Sequence, residues 1–220
     1  MVTTDKPTHI PEPTLRRLPS YHHLLMALAN EGQEYVSCSV IGRALSLDPT
    51  QVRKDIALTG IEGKPKVGYD LHELMASIEN FLGWNDTKQA FLVGVGHMGQ
   101  ALLGYQQFNQ YGMEIVAAFD NDPAKLGQVY SGREVLPLSK LANLARRMHI
   151  LLGIITTPAE SAQYVADQMV AGGIQGIWNF APVSIDTPQG VIVQDVDLFS
   201  SLAILSKRLA KSEVPAMASR

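Results

Sequence analysis

Residues 92–99 read Leu-Val-Gly-Val-Gly-His-Met-Gly, three glycines (Gly94, Gly96, Gly99) in a G-x-G-x-x-G arrangement directly after an apolar run. Few short patterns constrain a fold so tightly. The first glycine permits a tight strand-to-helix turn, the second lets backbone amides approach a pyrophosphate, and the third lets the helix pack closely on the strand. About twenty residues on, a second apolar run, Ile115–Phe119, is closed by Asp120, where an acid takes the hydroxyls of an adenosine ribose. The spacing predicts a dinucleotide site built from Gly94, Val95, Gly96, His97, Met98, Gly99 and Asp120. An acid here accepts from both ribose hydroxyls and repels a 2′-phosphate. Asn121 and Asp122 follow it rather than Arg, so NADH/NAD+ is expected over the phosphorylated forms. Two readings of His97 stand: an imidazolium touching phosphate, or an exposed turn residue.

Beyond residue 86 the chain alternates short apolar runs (89–93, 115–119, 134–136, 150–156, 177–179, 191–193) with helical stretches at roughly 97–110, 138–147 and 159–171. Strands alternating with helices of this size predict a parallel sheet covered on both faces. Thr156-Thr157-Pro158 and Asn179-Phe180-Ala181-Pro182 close its fourth and fifth strands at the carboxyl edge where such sheets bind ligands. Thr157, Pro158 and Asn179 are therefore expected around the nicotinamide. A last helix, from about 198 to 210, carries Leu198, Leu202, Leu205 and Leu209 on one stripe. Its partner is either its own sheet or a second subunit.

The first 85 residues have another rhythm. The first seven are polar and expected to be disordered. An apolar helical pattern runs from Thr14 to about Asn30 and contains Pro19, a point of interruption. Ser37 can cap a helix with Val40, Ile41, Ala44 and Leu45 inward. Asp48-Pro49-Thr50-Gln51 opens the next helix with a capping residue, a proline at the first position and Gln51 at the capping-box position. In that helix Val52 and Ile56 face inward, and Gln51, Arg53, Lys54 and Asp55 outward. Two short helices joined by a tight turn predict a helix-turn-helix. Gly60–Gly68, with three glycines, a proline and two lysines, reads as a β-hairpin wing, and an amphipathic helix through Phe81 leads to a linker at Gly83–Asp86.

Gln51, Arg53 and Lys54 near the start of the second helix, with Lys64 and Lys66 in the wing, are the expected DNA contacts. Residues 1–80 hold eight Lys/Arg against ten Asp/Glu, whereas 43–69 hold five against three. DNA binding must therefore be local to that face. The whole chain carries a net charge of −3 with 46% hydrophobic residues. It has no run of membrane-spanning length and no basic-then-apolar leader pattern, so no membrane partner and a cytoplasmic location are expected. The single Cys38, between Ser37 and Ser39, excludes an internal disulfide framework and reads as a small helix residue.

No reaction centre accompanies the cofactor pattern. A dehydrogenase needs a proton donor or acceptor near the nicotinamide, yet no His follows residue 149, Lys207 and Lys211 lie in the last helix, and Tyr164 falls within a predicted helix. Ser-His-Asp, Cys-His and metal-ligand spacings are absent, and no catalytic or metal-binding residue is expected. The combination points toward sensing.

Ile10-Pro11 with Arg16-Arg17-Leu18, Gln51-Val52-Arg53-Lys54-Asp55, Gly94–Gly99, Ala118-Phe119-Asp120, Pro158-Ala159-Glu160 and Gly176–Pro182 together carry a match across nearly the whole chain. The sequence resembles the Rex family of redox-sensing transcriptional repressors. The resemblance implies an α/β chain in three parts: a winged-helix DNA-binding domain (1–85), a Rossmann NAD(H)-binding domain (86–197) and a dimer-exchanged C-terminal helix (198–211). It further implies a homodimer on a palindromic double-stranded DNA operator, released by NADH. The family's switch residues match Asp197, Tyr105 and His23. The aromatic that reaches the partner's nicotinamide pocket aligns with Leu198, with Phe199 next to it. His23 stands in place of a permanent cation, which implies a pH-dependent pairing. Ala57-Leu58-Thr59 and Pro65-Lys66 replace the family's aromatic-containing recognition-helix end and Arg-Gly wing. Two rivals remain: a small NAD-dependent oxidoreductase, and an NAD(H)-binding adaptor whose winged helix contacts protein.

Overall fold

The apolar runs after residue 86 assemble into one seven-stranded sheet in a computed structural model that describes residues 10–212. The expected disorder of the first seven residues lies outside these. The chain divides into two units, Met1–Asp86 and Thr87–Arg220.

In the second unit the strands are β3 (Lys88–Val93), β4 (Met113–Asp120), β5 (Val129–Tyr130), β6 (Arg133–Pro137), β7 (Leu152–Ile155), β8 (Gly176–Asn179) and β9 (Ile192–Asp195). Their order is β5-β6-β4-β3-β7-β8-β9. Every pairing is parallel except β5 with β6, a two-residue edge hairpin that the periodicity did not show. The order reverses between β3 and β7, which opens a crevice beyond their carboxyl ends, the place where doubly wound sheets bind ligands. Helices α5 (His97–Gly104), α6 (Leu141–Met148) and α7 (Ala159–Ala171) cover the sheet. Phe91, Val93, Phe119 and Ile155 are buried with α6 and α7 residues on one side, and Leu92, Val95, Ala118 and Ile154 on the other. The helix predicted over 97–110 stops at Gly104. A 3₁₀ segment, Gln106–Tyr111, follows it, which leaves Tyr105 at the break and not within the helix.

The final helix, α8 (Leu198–Ser212), presents a run of exposed apolar side chains. Leu198, Phe199, Leu202, Ile204, Leu205 and Leu209 are each more than half exposed.

The first unit contains α1 (Glu12–Asn30), β1 (Tyr35–Val36), α2 (Cys38–Leu45), α3 (Pro49–Ala57), β2 (Tyr69–Asp70) and α4 (Leu71–Leu82). Leu18, Tyr21, Leu25, Ile41, Val52, Ile56, Leu71, Leu74 and Ile78 form its core. α1 runs unbroken through Pro19. The proline removes one intrahelical bond, but Leu18, Tyr21 and Leu25 anchor the helix on both sides. The buried face of α2 is rotated from the predicted one: Cys38, Ile41 and Gly42 are buried, and Val40 and Ala44 are exposed. Gly42 causes this, since a Cβ there would meet the Leu47 carbonyl at 2.7 Å and the Pro49 ring at 3.3 Å, so α2 turns this face into the tight connection to α3. The wing is also tighter than a regular hairpin. Lys64 and Gly68 form a single bridge, and the ladder proper pairs β1 with β2.

Candidate functional site

The glycine turn forms one wall of a cavity of about 740 Å³ at the switch point, facing Asp120, Lys125, Thr157, Pro158 and Tyr164. Gly94 has φ +101°, a left-handed conformation, and a Cβ on it would meet the Thr156 backbone at 2.8 Å. A Cβ on Gly99 would run into the Gly94 carbonyl oxygen. Gly96 differs from both, because nothing lies within 4 Å of where its Cβ would be. Two of the glycines close the turn, and the third leaves the face of the α5 N-terminus open to an anion. Thr156 locks the turn, its hydroxyl donating to the Val93 and Gly94 carbonyls at 3.0 and 2.7 Å.

Asp120 is 9% exposed and surrounded by donors. One oxygen accepts from the Asn121 and Asp122 amides at 2.8 and 2.9 Å, the other from the Val95 amide at 2.7 Å and Lys125 Nζ at 3.0 Å. Burial alone would raise its pKa; the hydrogen bonds outweigh it and hold the carboxyl below its ordinary value. Thr157 Oγ1 is buried and, among the described residues, has no hydrogen-bond partner. A buried hydroxyl left unpaired costs free energy, and here it belongs to a residue lining the cavity. The open glycine face, ribose-accepting acid and orphan hydroxyl together fit a dinucleotide.

Other expected cofactor residues sit differently. His97 and Met98 are exposed on the first turn of α5 and do not line the cavity. Val95 is fully buried, with its amide engaged by Asp120, so it serves the site through that carboxylate. Asn179 is also fully buried and stands outside the cavity. Its amide donates to the Val183 carbonyl and to Asp195, and its oxygen accepts from the Ala181 amide, fixing the loop after β8 from behind.

In the first unit, Arg53, Lys64 and Lys66 line a shallow groove of about 350 Å³ with Ser37, Ser39 and Tyr69. Lys64 also lies over the Tyr35 ring, 5.2 Å from its centroid. Lys66 occupies the left-handed region (φ +64°) at the wing tip, which costs a non-glycine residue about 1 kcal/mol. Lys54 is exposed but outside the groove. Gln51 does not close a capping box. It donates to Asp55 at 2.9 Å, and Asp48 caps α3 by itself through the Thr50 amide.

Asp55, expected to face outward, is 1% exposed. Its carboxylate accepts from Thr14 at 2.9 Å, from Arg17 through Nε and Nη2 at 2.7 and 2.8 Å, from Tyr21 at 2.7 Å and from Gln51. Burial would raise its pKa, but these hydrogen bonds, Arg17's foremost, hold it down to about 2. The cluster fastens α1 to α3, the helix that carries Arg53 and Lys54.

The switch positions lie in separate units. His23 is exposed on α1. Tyr105 is 48% exposed and donates to Gln107. Asp197 caps α8, accepting from the Phe199 and Ser200 amides and from the Ser200 hydroxyl, and these bonds, Ser200's first, keep its pKa low. Leu198 and Phe199 border a second cavity of about 540 Å³ with Phe180 and Pro182.

The chain is 45% identical over 193 residues to a redox-sensing transcriptional repressor Rex of Treponema denticola, covering 88% of this chain and 92% of that protein. The Rex protein of Bacteroides fragilis is 39% identical over 94% of both chains. The chain belongs to the Rex family. Two family models agree with the division into units: one described as "CoA binding domain" matches residues 85–183, and "Putative DNA-binding protein N-terminus" matches residues 9–57. A solved Rex-family repressor, RSP, in complex with beta-NAD+ and operator DNA, superposes with a TM-score of 0.87 at 31% identity, covering 94% of this chain and 95% of that one. RSP with beta-NADH superposes at 0.85.

Sequence reasoning missed three participants. Lys125 stands five residues past Asp120 with only the run Asp-Asn-Asp-Pro-Ala-Lys as its signal. Tyr164, 59% exposed, does line the cavity. The burial of Asp55 was signalled by nothing local, because Thr14, Arg17 and Tyr21 lie 34 to 41 residues away. Among the described residues, no helix is long and apolar enough to cross a membrane.

Proposed function

We propose that this chain is a cytoplasmic repressor that binds a palindromic operator as a homodimer and releases it when NADH occupies the second unit. Residues 1–85 bind DNA, 86–197 bind NAD(H), and 198–211 join two copies. The observation that carries the reading is the presence, in one chain, of the Gly94–Asp120 cavity and the Arg53–Lys66 groove, in a chain similar over 94% of its length to a repressor solved with beta-NAD+ and operator DNA.

Gly94, Gly96 and Gly99 shape the phosphate seat, Asp120 orients the ribose, and Thr157 and Pro158 wall the nicotinamide side. Val95, His97, Met98 and Asn179 complete the cofactor site as its supports and rim. When bound, the nicotinamide supplies its redox state, with a ring that is neutral when reduced and cationic when oxidised. Gln51, Arg53, Lys54, Lys64 and Lys66 face the duplex, with the cations on phosphate and in the minor groove. The exposed apolar stripe of α8 seats on a second copy, and His23, Tyr105, Asp197, Leu198 and Phe199 form the switch. NADH and DNA prefer different dimer geometries, so each weakens the other by the same factor.

The test is selection from randomised duplex DNA with and without NADH, repeated over a salt series. A selected palindrome lost on adding NADH is expected, with steep weakening as salt rises. Failure to select a palindrome overturns the repressor reading, and binding indifferent to NADH overturns the sensor reading. Asp120→Ala removes the NADH response, weakening NADH by roughly 10- to 100-fold for a lost hydrogen bond to a charged group, and leaves operator binding of the nucleotide-free chain intact.

A further inference from the structure

We propose that Lys125 is a displaceable occupant of the ribose-binding carboxylate and that it sets how strongly the cavity prefers NADH over NADPH. The inference rests on the cofactor reading above. An ionised carboxylate offers about four lone-pair positions, and Asp120 already accepts four hydrogen bonds: three from the amides of Val95, Asn121 and Asp122, and one from Lys125. The amides are fixed by the glycine turn and by the bend after β4. Lys125 alone reaches Asp120 on a long flexible stem. A ribose diol can therefore donate to Asp120 only by replacing the ammonium.

The displaced ammonium has a place to go. Asp122 Oδ2 lies 3.9 Å from Lys125 Nζ on a side chain that is 48% exposed, so a small swing exchanges one carboxylate for the other. Lys125 itself is 29% exposed, next to an Asp120 side chain that is 11% exposed, so the pair is only partly screened by water.

Two opposite effects on the nucleotides follow. For NADH, the ammonium competes with the ribose hydroxyls and lowers affinity. For NADPH, it neutralises the carboxylate that would repel a 2′-phosphate and supplies a cation beside it. Removing the charge while keeping the stem separates these effects.

The experiment titrates full-length wild-type, Lys125→Met, Asp122→Asn and doubly substituted Lys125→Met/Asp122→Asn chains with NADH and with NADPH, following the fluorescence of the reduced nicotinamide. Lys125→Met is expected to bind NADH roughly tenfold more tightly and NADPH roughly tenfold more weakly. Asp122→Asn, which takes away the alternative partner, is expected to weaken NADH in the wild-type background and to have no effect when combined with Lys125→Met. A Lys125→Met chain that loses affinity for both nucleotides overturns the proposal, because Lys125 would then contact the cofactor directly. An unchanged NADH-to-NADPH ratio also overturns it. Wild-type protein that binds neither nucleotide overturns the cofactor reading itself, an outcome separate from the other two.

Discussion

Asp55 and Asp120 are both buried carboxylates held in their charged form, but they are held by different kinds of donor. Asp55 is gripped by four side chains, three from α1 and one from α3, in five hydrogen bonds. Asp120 is held by three backbone amides and one lysine. The first arrangement ties two helices together and leaves no lone pair for a ligand. The second fixes the carboxylate by its own backbone and leaves one donor exchangeable. The same residue type thus makes a joint in one unit and a receptor in the other, and the donor set decides which.

Breaking the joint gives the largest effect. Asp55→Ala leaves the Arg17 guanidinium without its carboxylate and strands Thr14, Tyr21 and Gln51. A loss of about 3–5 kcal/mol from the first unit is expected, read as a lowered midpoint in urea with operator binding lost alongside it, while NADH still binds the second unit. If NADH binding falls to the same extent, the two units do not unfold independently.

Acid sharpens the contrast next. The pKa of Asp55 is depressed to about 2 from 3.8, so its contribution is fully present above the unfolded value and is lost as pH falls through the folded one. About 2 kcal/mol of stability should disappear between roughly pH 5 and pH 2. The Asp120 shift has the same sign and adds to acid sensitivity in the second unit. Unfolding followed against pH in the wild type and in Asp55→Asn checks this, because the variant should lose the Asp55 portion of the slope.

The smallest effect separates a ligand contact from a structural one. Thr157→Val keeps the shape and removes a hydroxyl that, among the described residues, has no hydrogen-bond partner. Thermal stability of the nucleotide-free chain should hold or rise slightly, by about 1 kcal/mol at most, whereas NADH should bind several-fold more weakly. Reduced stability with unchanged NADH affinity would make Thr157 a packing residue.

Much of this was legible in the sequence because its causes are local. The strands of the sheet appear as apolar runs bounded by turn residues. The glycine turn is dictated by positions where a Cβ cannot fit, and Ser37 and Asp48 cap the helices that follow them. What escaped depends on distant partners. The carboxylate of Asp55 looks like any solvated helix residue until α1 brings Arg17 and Tyr21 to it. The face of α2 was misread because eight residues give too short a stripe to locate against a crowded Gly42. Pro19 reads as an interruption only when the anchors on either side are ignored. Asn179 ends a strand at the expected edge, but its own loop uses its amide first.

The α8 stripe, from Leu198 to Leu209, leaves a large water-facing apolar surface on the folded chain. Covering it with a second copy makes the assembled state depend on how many copies are present, since association stabilises by mass action. Dilution then acts as a signal in its own right. A cell that makes too little of this protein lacks the assembled regulator even when the nucleotide balance favours repression, so expression level sets the threshold below which the redox response cannot be heard.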